Sequence, residues 1–424
     1  MDLLLGFRRK PPIDEPANDN CGLRGSMLRD FSLSATYMGL LSAFVGYSAS
    51  FAILLAGMTA VGATEQQAAT GLFFAALGMG VAGIILPLLT RTPSAIAWST
   101  PGAAFLASTA VLPGGFGEAV GAFILCAVMI IITGLVPAQG RVVANIPKPI
   151  ANALLAGVLL KLCFAPALAL GSVPWLVLPV LLAWLAGLSL HKLAAMPLAV
   201  LALVLVLVFG VDLSGVDWSG MGAESAAGQS LLPAFDIVPP VFTLSSAISV
   251  AIPLYLVTMA GQNIPGFAVL ELNNYTTRRQ PLLRQTGYAS LLTAPFGAVP
   301  VNMSAITAAM MCGEDAHPDP KRRYWAAVIA GFGYVVLAFA AGLVARVASV
   351  APQELITAIA GLALIPALVA SFSRAFEDTQ QLEAPALTFL IAASGMTLFG
   401  VSGAFWGLVV GALVWMVKRH LGRG

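Results

Sequence analysis

Two stretches, AIAWSTPG at residues 95–102 and AVPVNMS at residues 298–304, interrupt otherwise apolar segments of this chain. Each combines a proline with small residues and hydrogen-bonding side chains at a depth where a membrane helix would be continuous. In hydrocarbon every backbone polar group needs a partner, so irregular backbone is tolerated only where it is buried in protein or lines a cavity. Paired interruptions in corresponding halves of a chain are typical of a transporter's substrate site. The two stretches therefore predict a membrane protein that moves a small solute.

The composition of the chain excludes a water-soluble protein. Of its 424 residues, 59% are hydrophobic and only 9% are charged, and the mean hydropathy is +0.91. Soluble domains carry about 25% charged residues. The sequence has no nucleotide-binding glycine loop with its lysine, no metal-ligand cluster and no nucleophile–base pair. We therefore expect a protein of the lipid bilayer that is not an enzyme and has no cofactor, metal site or nucleic-acid partner.

Apolar stretches long enough to cross a bilayer follow one another along the chain. We predict about fourteen segments, since a continuous span needs about 20 apolar residues and half-elements need fewer. They are 31–58, 67–90, 95–110, 117–136, 148–168, 174–190, 194–211, 246–270, 281–297, 298–313, 323–348, 353–372, 384–399 and 401–418. The hydrophilic break at 212–245 divides them into two sets of seven.

The odd number of segments in each set forces the two sets into opposite orientations. The predicted fold class is therefore an all-α polytopic membrane protein with a 7+7 inverted repeat, whose short third and tenth segments are broken into an extended strand and a half-helix. The first repeat covers residues 31–211 and the second repeat covers residues 246–424.

Charged residues predict the orientation of the segments. Basic residues concentrate in loops on the side of the N-terminal tail (1–30), as at 278–284 and 321–323, and at the C-terminal end. The break at 212–245 contains acidic residues and no Lys or Arg. Because cytoplasmic loops carry the excess of Lys and Arg, we expect both termini in the cytoplasm of a bacterium, the chain in its inner membrane, and 212–245 as an extracytoplasmic loop.

Both interrupted stretches predict a helix that begins in the middle of the membrane. Ser99 is typical of an N-cap residue ahead of Pro101, and the residues before it should be extended. In the second stretch residues 298–301 should be extended, and Asn302 or Ser304 should cap the helix. Two helix N-termini that face each other present unpaired N–H groups and positive dipole ends, which favour an anion. The alternative is a pair of ordinary kinks filled by neighbouring side chains.

Further polar groups lie in the first and eighth segments. Gln262 and Asn263 are adjacent carboxamides inside an apolar helix, where polar groups are functional candidates; interhelical hydrogen bonding is the alternative. The following residues 265–266, Pro-Gly, predict local unwinding of the helix. Residues 46–54, which include Tyr47, resemble residues 262–270 at the corresponding place in the second repeat.

Several blocks resemble the benzoate:proton symporter (BenE-type) family, over about residues 31 to 418. These blocks are 45–50, 97–104, 256–260, 262–263, 265–266, 295–297, 305–309, 316–319, 360–364 and 402–408. The family is related in fold to uracil permeases and solute-carrier anion exchangers. The resemblance implies a core (31–140 and 246–350) that moves against a gate (141–211 and 351–418), with substrate between the third and tenth segments.

The sequence departs from the uracil permeases in its acidic residues. Those proteins carry acids in the eighth and tenth segments, whereas the matching places here hold Gln262 and, near Thr307, no acid. A nucleobase is therefore less favoured than an anion. Glu118 and Glu271 are the candidate proton carriers. The alternatives are a proton that travels on the substrate, whose carboxyl pKa is about that of a Glu side chain, or on bound water, and a sodium ion held by carbonyls and amides.

We therefore predict a secondary active transporter that imports an aromatic monocarboxylate, benzoate, by proton symport with alternating access. The residues expected at the substrate are Tyr47, Phe51, Ser99, Thr100, Gly102, Ala103, Gln262, Asn263, Asn302, Met303 and Ser304. The alternatives are a nucleobase permease for uracil or purines, an uncoupled anion pathway and a purely structural membrane protein. Relatives by fold often form homodimers, which is the oligomer we expect, although no segment shows a decisive interface.

Overall fold

The computed structural model describes residues 30–109, 111–136, 147–191, 194–210, 235–378, 381–398 and 401–421. The predicted N-terminal tail, apart from Asp30, lies outside these residues, and so does the part of the predicted 212–245 loop up to residue 234. Each of the predicted membrane segments lies wholly or mostly within the described ranges.

The first repeat consists of helices and one short strand. In chain order these are α1 (Leu33–Ser48), α2 (Phe51–Ala60), α3 (Glu65–Thr90), β1 (Ile96–Trp98), α4 (Thr100–Ala107), α5 (Gly115–Leu135), α6 (Lys148–Cys163), α7 (Ala165–Ser172), α8 (Pro174–Leu190) and α9 (Ala195–Gly210). The predicted first segment, 31–58, is therefore two helices with a break at residues 49–50. α3 begins at a capping box, in which the Thr64 and Gln67 side chains each accept a hydrogen bond from the other residue's backbone N–H.

The second repeat follows the same order of elements. It contains α10 (Leu244–Leu272), α11 (Arg279–Thr293), β2 (Val301–Met303), α12 (Ala305–Cys312), α13 (Tyr324–Ala338), α14 (Ala341–Val350), α15 (Gln353–Ala375), α16 (Glu383–Ala393), the short strands β3 (Thr397–Leu398) and β4 (Val401–Ser402), and α17 (Gly403–Leu421).

The predicted unwinding at residues 265–266 was wrong. Ile264–Leu272 is α-helical, and the irregularity lies just before it as a π-helical turn at Met259–Asn263. Proline has no N–H to donate to the preceding turn, and the π turn lies directly before Pro265, where the hydrogen bonds span one residue more than in an α-helix. π turns inside α-helices occur often at functional sites.

Six stretches of helix in the described ranges are long and apolar enough to cross a bilayer. Four are the single helices α3, α5, α10 and α15, and two are the pairs α1 with α2 and α6 with α7. A seventh span forms if α13 and α14, which are bent by 59° at their junction, are counted together. α8, α9, α16 and α17 are shorter apolar helices. α4 and α12 have only eight residues each, which extend about 12 Å. The count of fourteen segments stays a prediction.

Each pair of packed helices has an equivalent pair formed by the corresponding helices of the other repeat. α3 packs against α13, and the equivalent α11 packs against α5. α2 packs against α4 as α10 packs against α12, and α8 packs against α9 as α16 packs against α17. α6 and α15, which are equivalent to each other, pack together. This correspondence agrees with the inverted repeat.

Glycine allows the closest of these approaches. At the crossing of α3 and α13, a Cβ added to Gly331 would lie 2.7 Å from Ile84 N and 2.8 Å from Gly80 O. Small residues that let helix backbones touch are the usual means of packing within a membrane, where the hydrophobic effect does not drive helices together. Larger residues at this crossing would separate the two repeats.

β1 and β2 join the repeats at the centre of the molecule. They pair antiparallel, with Ile96 opposite Met303 and Trp98 opposite Val301. Two further backbone hydrogen bonds of 2.9 Å extend the ladder, from Ser99 N to the Pro300 carbonyl and from Ser304 N to the Ala95 carbonyl. Both predicted extended stretches are therefore present in part, and the second strand begins at residue 301, later than predicted. The pairing places the beginnings of α4 and α12 beside each other.

Candidate substrate-binding site

α4 begins at Ser99, the predicted N-cap. The Ser99 hydroxyl accepts a hydrogen bond from Gly102 N at 3.1 Å, and the Ser99 carbonyl accepts one from Ala103 N at 2.7 Å. Thr100 is the first residue of the helix. These bonds satisfy part of the first turn, and the N–H of Thr100 belongs to those that a helix leaves without an intrahelical partner.

α12 begins in the same way at Ser304. The Ser304 hydroxyl lies 3.5 Å from Thr307 N and accepts a hydrogen bond of 2.7 Å from the Thr307 hydroxyl. Of the two caps considered, Ser304 rather than Asn302 is therefore the one used. No proline occupies the first turn of α12, so Ala305 and Ile306 both contribute backbone N–H groups at its N-terminus.

Asn302 is fully buried between the two half-helices. In the amide orientation that satisfies both of its atoms, the Asn302 side-chain oxygen accepts from Ser99 N at 2.9 Å and its nitrogen donates to the Met303 carbonyl at 2.7 Å. Asn302 thus connects the strand pair to the cap of α4.

α10 touches the start of each half-helix. The Thr258 and Ser99 hydroxyls form a hydrogen bond of 2.7 Å. The Asn263 side-chain oxygen accepts from Met303 N at 3.0 Å, and the Asn263 amide nitrogen lies 3.3 Å from the Met259 sulfur. Both amide atoms of Asn263 are therefore engaged, and the interhelical role considered for it fits this geometry.

Gln262 differs from its neighbour Asn263. Its side chain is buried, yet it makes no hydrogen bond with any other residue in the described part of the chain. It lies in the π turn of α10, which changes the direction of successive side chains relative to an α-helix. A buried carboxamide with free hydrogen-bonding capacity is a group that a ligand can use.

Aromatic side chains lie on the α1 side of the strand pair. The Tyr47 ring is 5.2 Å from the Trp98 ring and 6.1 Å from the Phe51 ring, which it faces at an interplanar angle of 22°. The Trp98 indole N–H donates to the Ser50 hydroxyl at 2.8 Å. The Tyr47 hydroxyl is buried and has no hydrogen-bond partner among the described residues.

The elements around the two helix N-termini carry no ionisable charge. Residues 95–107, 255–270 and 298–312 contain no Asp, Glu, Lys, Arg or His. The positive ends of the helix dipoles at α4 and α12 are therefore not neutralised by a carboxylate on these elements.

The candidate proton carriers lie apart from this cluster of contacts. Glu118, at the start of α5, is buried and accepts hydrogen bonds from Gly114 N at 2.8 Å and from the Thr243 hydroxyl. Glu271, at the end of α10, forms an exposed ion pair with Arg279 at 2.6 Å. Neither carboxylate makes a hydrogen bond in the described structure to residues of the broken segments. Their role in coupling stays a prediction.

Two hydroxyl residues that are not among the predicted site residues brace the site. Thr258 bonds the cap of α4, and Ser50, a less certain candidate from the sequence beside Tyr47, accepts from the Trp98 indole. A hydroxyl inside an apolar helix, one turn before Gln262, was the available signal for Thr258. Its partner, however, is distant in the chain and is set by tertiary packing.

Comparison with known proteins identifies the family of the chain. Residues 29–417 match the family described as benzoate membrane transport protein. The chain is 33% identical over 379 residues to the inner membrane protein YdcO of Escherichia coli (strain K12), which covers 89% of this chain and 94% of that protein. It is 31% identical over 393 residues to the benzoate membrane transport protein of Acinetobacter baylyi, covering 92% of this chain and 97% of that protein.

Two solved structures share the fold. The transmembrane domain of the cyanobacterial bicarbonate transporter BicA aligns with a TM-score of 0.56 at 16% identity, covering 90% of this chain and 98% of that chain. The structure of SLC26A9 aligns with a TM-score of 0.62 at 11% identity, covering 94% of this chain and 67% of that chain. At these identities the similarity concerns the fold, and it agrees with the polytopic helical architecture described above. The chain belongs to the benzoate membrane transport protein family, whose members are multi-pass membrane transporters and not enzymes.

Proposed function

We propose that this chain is a secondary active transporter of a bacterial inner membrane that imports an aromatic monocarboxylate, benzoate, together with a proton. One observation carries the proposal: the β1–β2 pair holds the N-termini of α4 and α12 side by side, and residues 95–107, 255–270 and 298–312 around them contain no Asp or Glu. Helix N-termini bind anions through unpaired N–H groups and the helix dipole. The family match and the Acinetobacter relative support benzoate as the anion.

The carboxylate would lie between the two half-helices. The side chains of Ser99, Asn302 and Ser304 are engaged in capping and bracing, so we expect them to position the helix ends. The backbone N–H groups of the first turns, at Thr100 in α4 and Ala305 in α12, would then face the carboxylate. In this assignment each repeat contributes one helix N-terminus to the binding of the carboxylate.

The remaining predicted site residues surround that position. Gly102 and Ala103 in α4 and Met303 in β2 would form its walls, since their backbones belong to the capped turn and the strand pair. Tyr47 and Phe51 would contact the ring, because aromatic rings pack edge to face or offset with favourable quadrupole geometry.

Gln262 would orient the substrate, and Asn263 would act through the backbone of β2 rather than by contact. The adjacent carboxamides thus receive different roles, since only that of Asn263 is already bonded to the chain.

Transport would follow from movement of the core (31–140 and 246–350) against the gate (141–211 and 351–418), which exposes the site to each side in turn. Glu118 and Glu271 are the two candidate carriers on the protein, and the proton can also travel as benzoic acid. Pairing of two copies through their gates belongs to the same proposal.

The proposal is tested by uptake of labelled benzoate into proteoliposomes under a proton gradient and, separately, a sodium gradient. We expect accumulation driven by protons and competed by benzoate analogues but not by uracil. Protein-free liposomes under the same gradients control for the diffusion of benzoic acid through the lipid. Competition by uracil, or equal flux without any gradient-driven accumulation, would contradict the proposal in favour of a permease or an uncoupled pathway.

Two conservative variants locate the proton. If Glu118→Gln or Glu271→Gln retains benzoate counterflow but loses accumulation, that carboxylate carries the proton. If both variants accumulate benzoate as the wild type does, the proton is carried by the substrate or by bound water. Counterflow is the control in both cases, since it needs binding and conformational exchange without net proton transport.

A further inference from the structure

Tyr47 of α1 and Asn263 of α10 occupy corresponding positions but make different contacts with the two broken segments. In the alignment of residues 46–54 with 262–270, Tyr47 corresponds to Asn263. Each contacts the residue that immediately precedes an N-cap: Asn263 accepts from Met303 N, before Ser304, and Tyr47 packs its ring 5.2 Å from that of Trp98, before Ser99. The two residues therefore have equivalent places in the two repeats.

Their polar atoms are not used equivalently. The Asn263 side chain is engaged at both of its amide atoms, whereas the Tyr47 hydroxyl is buried and has no partner among the described residues. A buried hydroxyl left unpaired costs about 1–3 kcal/mol in mutational data, so such groups are rare and call for an explanation. In a transporter, one explanation is that a bound ligand forms the missing hydrogen bond with the Tyr47 hydroxyl.

The surroundings of Tyr47 contain both parts of the predicted anion site. Its ring lies against β1, whose next residue caps α4. The adjacent Gly46 borders the first turn of α12, since a Cβ placed on Gly46 would lie 3.2 Å from Thr307 Cγ2. The end of α1 that carries Tyr47 thus lies next to the starts of both half-helices.

We propose that the Tyr47 hydroxyl donates a hydrogen bond to the carboxylate of the bound substrate, an inference that rests on the proposed function. The carboxylate is the only hydrogen-bonding group of benzoate, and as an ionised group it only accepts. Hydrogen bonds to charged acceptors are the strong ones. The Tyr47 ring remains against Phe51 and Trp98. The same residue therefore forms part of the apolar wall through its ring and binds the carboxylate through its hydroxyl.

The variant Tyr47→Phe tests the inference, because it removes the hydroxyl and keeps the ring. Removing an unpaired buried hydroxyl does not weaken the ligand-free protein, so its melting temperature should be unchanged or raised. Benzoate binding should weaken about tenfold, the loss expected for a hydrogen bond to a charged group. The measurement is the melting temperature of the purified full-length protein in detergent across a benzoate titration, with KM for uptake as a second readout.

Tyr255→Phe is the matched control. The Tyr255 hydroxyl bonds the Thr133 hydroxyl at 2.5 Å between α10 and α5, so its loss should lower the melting temperature of the ligand-free protein and leave the benzoate concentration at half-maximal shift unchanged. An equal benzoate response in Tyr47→Phe and the wild type, or a lower ligand-free melting temperature in Tyr47→Phe, would overturn the inference while leaving the proposed function intact. A wild-type protein that does not respond to benzoate would overturn the proposed function and this inference with it.

Discussion

The half-helices α4 and α12 start from one strand pair but have different surroundings. In α4 every residue from Pro101 to Leu106 is buried, and the helix packs against α2, α10 and α6, which belongs to the predicted gate. In α12 the Ile306 side chain is 61% exposed and Ala309 is exposed as well. α6 also lies close to α10 beside the start of α4, since a Cβ on Gly261 of α10 would lie 3.1 Å from Pro101 and 3.2 Å from Leu155 of α6.

This difference leads us to expect that the site is reached from one side. α6, which belongs to the predicted gate, packs against α4, whereas α12 leads away from the centre towards the basic residues 321–323. In the orientation predicted from the charges, residues 321–323 are cytoplasmic. We therefore expect a conformation in which the site is closed at α4 and reached from the cytoplasm along α12.

A negative charge at the start of α4 should have the largest effect. We expect Ser99→Asp to reduce benzoate uptake to background, because two like charges about 4 Å apart repel by about 4 kcal/mol at an effective dielectric constant of 20, which is close to a thousandfold in affinity. Ser304→Asp should act equally at α12. The measurement is proteoliposome uptake together with the elution profile and melting temperature of each variant.

Ser172→Asp, the same change at the exposed end of α7, is the control and should transport normally. Wild-type uptake by a folded Ser99→Asp protein would remove Ser99 from the site.

Thiol labelling tests whether α12 is reached by water while α4 is not. In a background without the native cysteines, Ile306→Cys should react with a membrane-impermeant maleimide applied from the cytoplasmic side, since a thiol reacts as the thiolate and needs water. Phe105→Cys, in buried α4, should not react. Benzoate should protect Ile306→Cys. Equal labelling of the two positions, or labelling of Ile306→Cys from the outside alone, would contradict the one-sided access.

Substitutions of the adjacent carboxamides of α10 should affect different properties: Asn263 is expected to contribute to stability and Gln262 to substrate binding. Asn263→Ala leaves Met303 N without its partner, so the free energy of unfolding should fall by about 1–3 kcal/mol. Gln262→Ala removes a group that bonds no described residue, so stability should hold while KM for benzoate rises several-fold. Melting temperatures and uptake kinetics of the two variants decide this, and the same loss of stability in both would show that Gln262 is structural.

The smallest effect is expected from Thr258→Val, which keeps the shape and removes the bond to Ser99. Ser99 retains its hydrogen bond from Gly102 N, so the cost should be about 1 kcal/mol of stability with KM near the wild-type value. A thermal melt and one uptake curve test it. A large rise in KM would instead show that Thr258 holds α4 in its binding position.

Neighbouring residues were enough to predict the cap of α4 and to limit the cap of α12 to two residues. Ser99 and Ser304 each precede a helix and carry a short hydroxyl, but Asn302 is an equally good cap by residue type, and the sequence alone did not decide between Asn302 and Ser304. The strand register and the Thr258–Ser99 bond join residues far apart in the chain, so no local pattern reports them.

The error at Pro265 has a physical cause as well. A proline within a helix can be accommodated by unwinding or by a π turn, and the choice depends on what the helix packs against. Here Gly266 lies against β2, where an added Cβ would be 2.8 Å from Met303 Cβ, and the continuous helix maintains that contact. The neighbours of α10 in space, and not its own sequence, therefore decided between the two.

An aromatic carboxylate should bind between the N-termini of α4 and α12. Crystals grown with 3-bromobenzoate would show this binding, because the bromine can be located from its anomalous scattering once competition with benzoate for uptake has been confirmed. We expect a single strong peak beside Tyr47 and Phe51, with the carboxylate density at the first turns of both half-helices. A peak elsewhere in the protein, with the space between α4 and α12 filled by side chains, would contradict it.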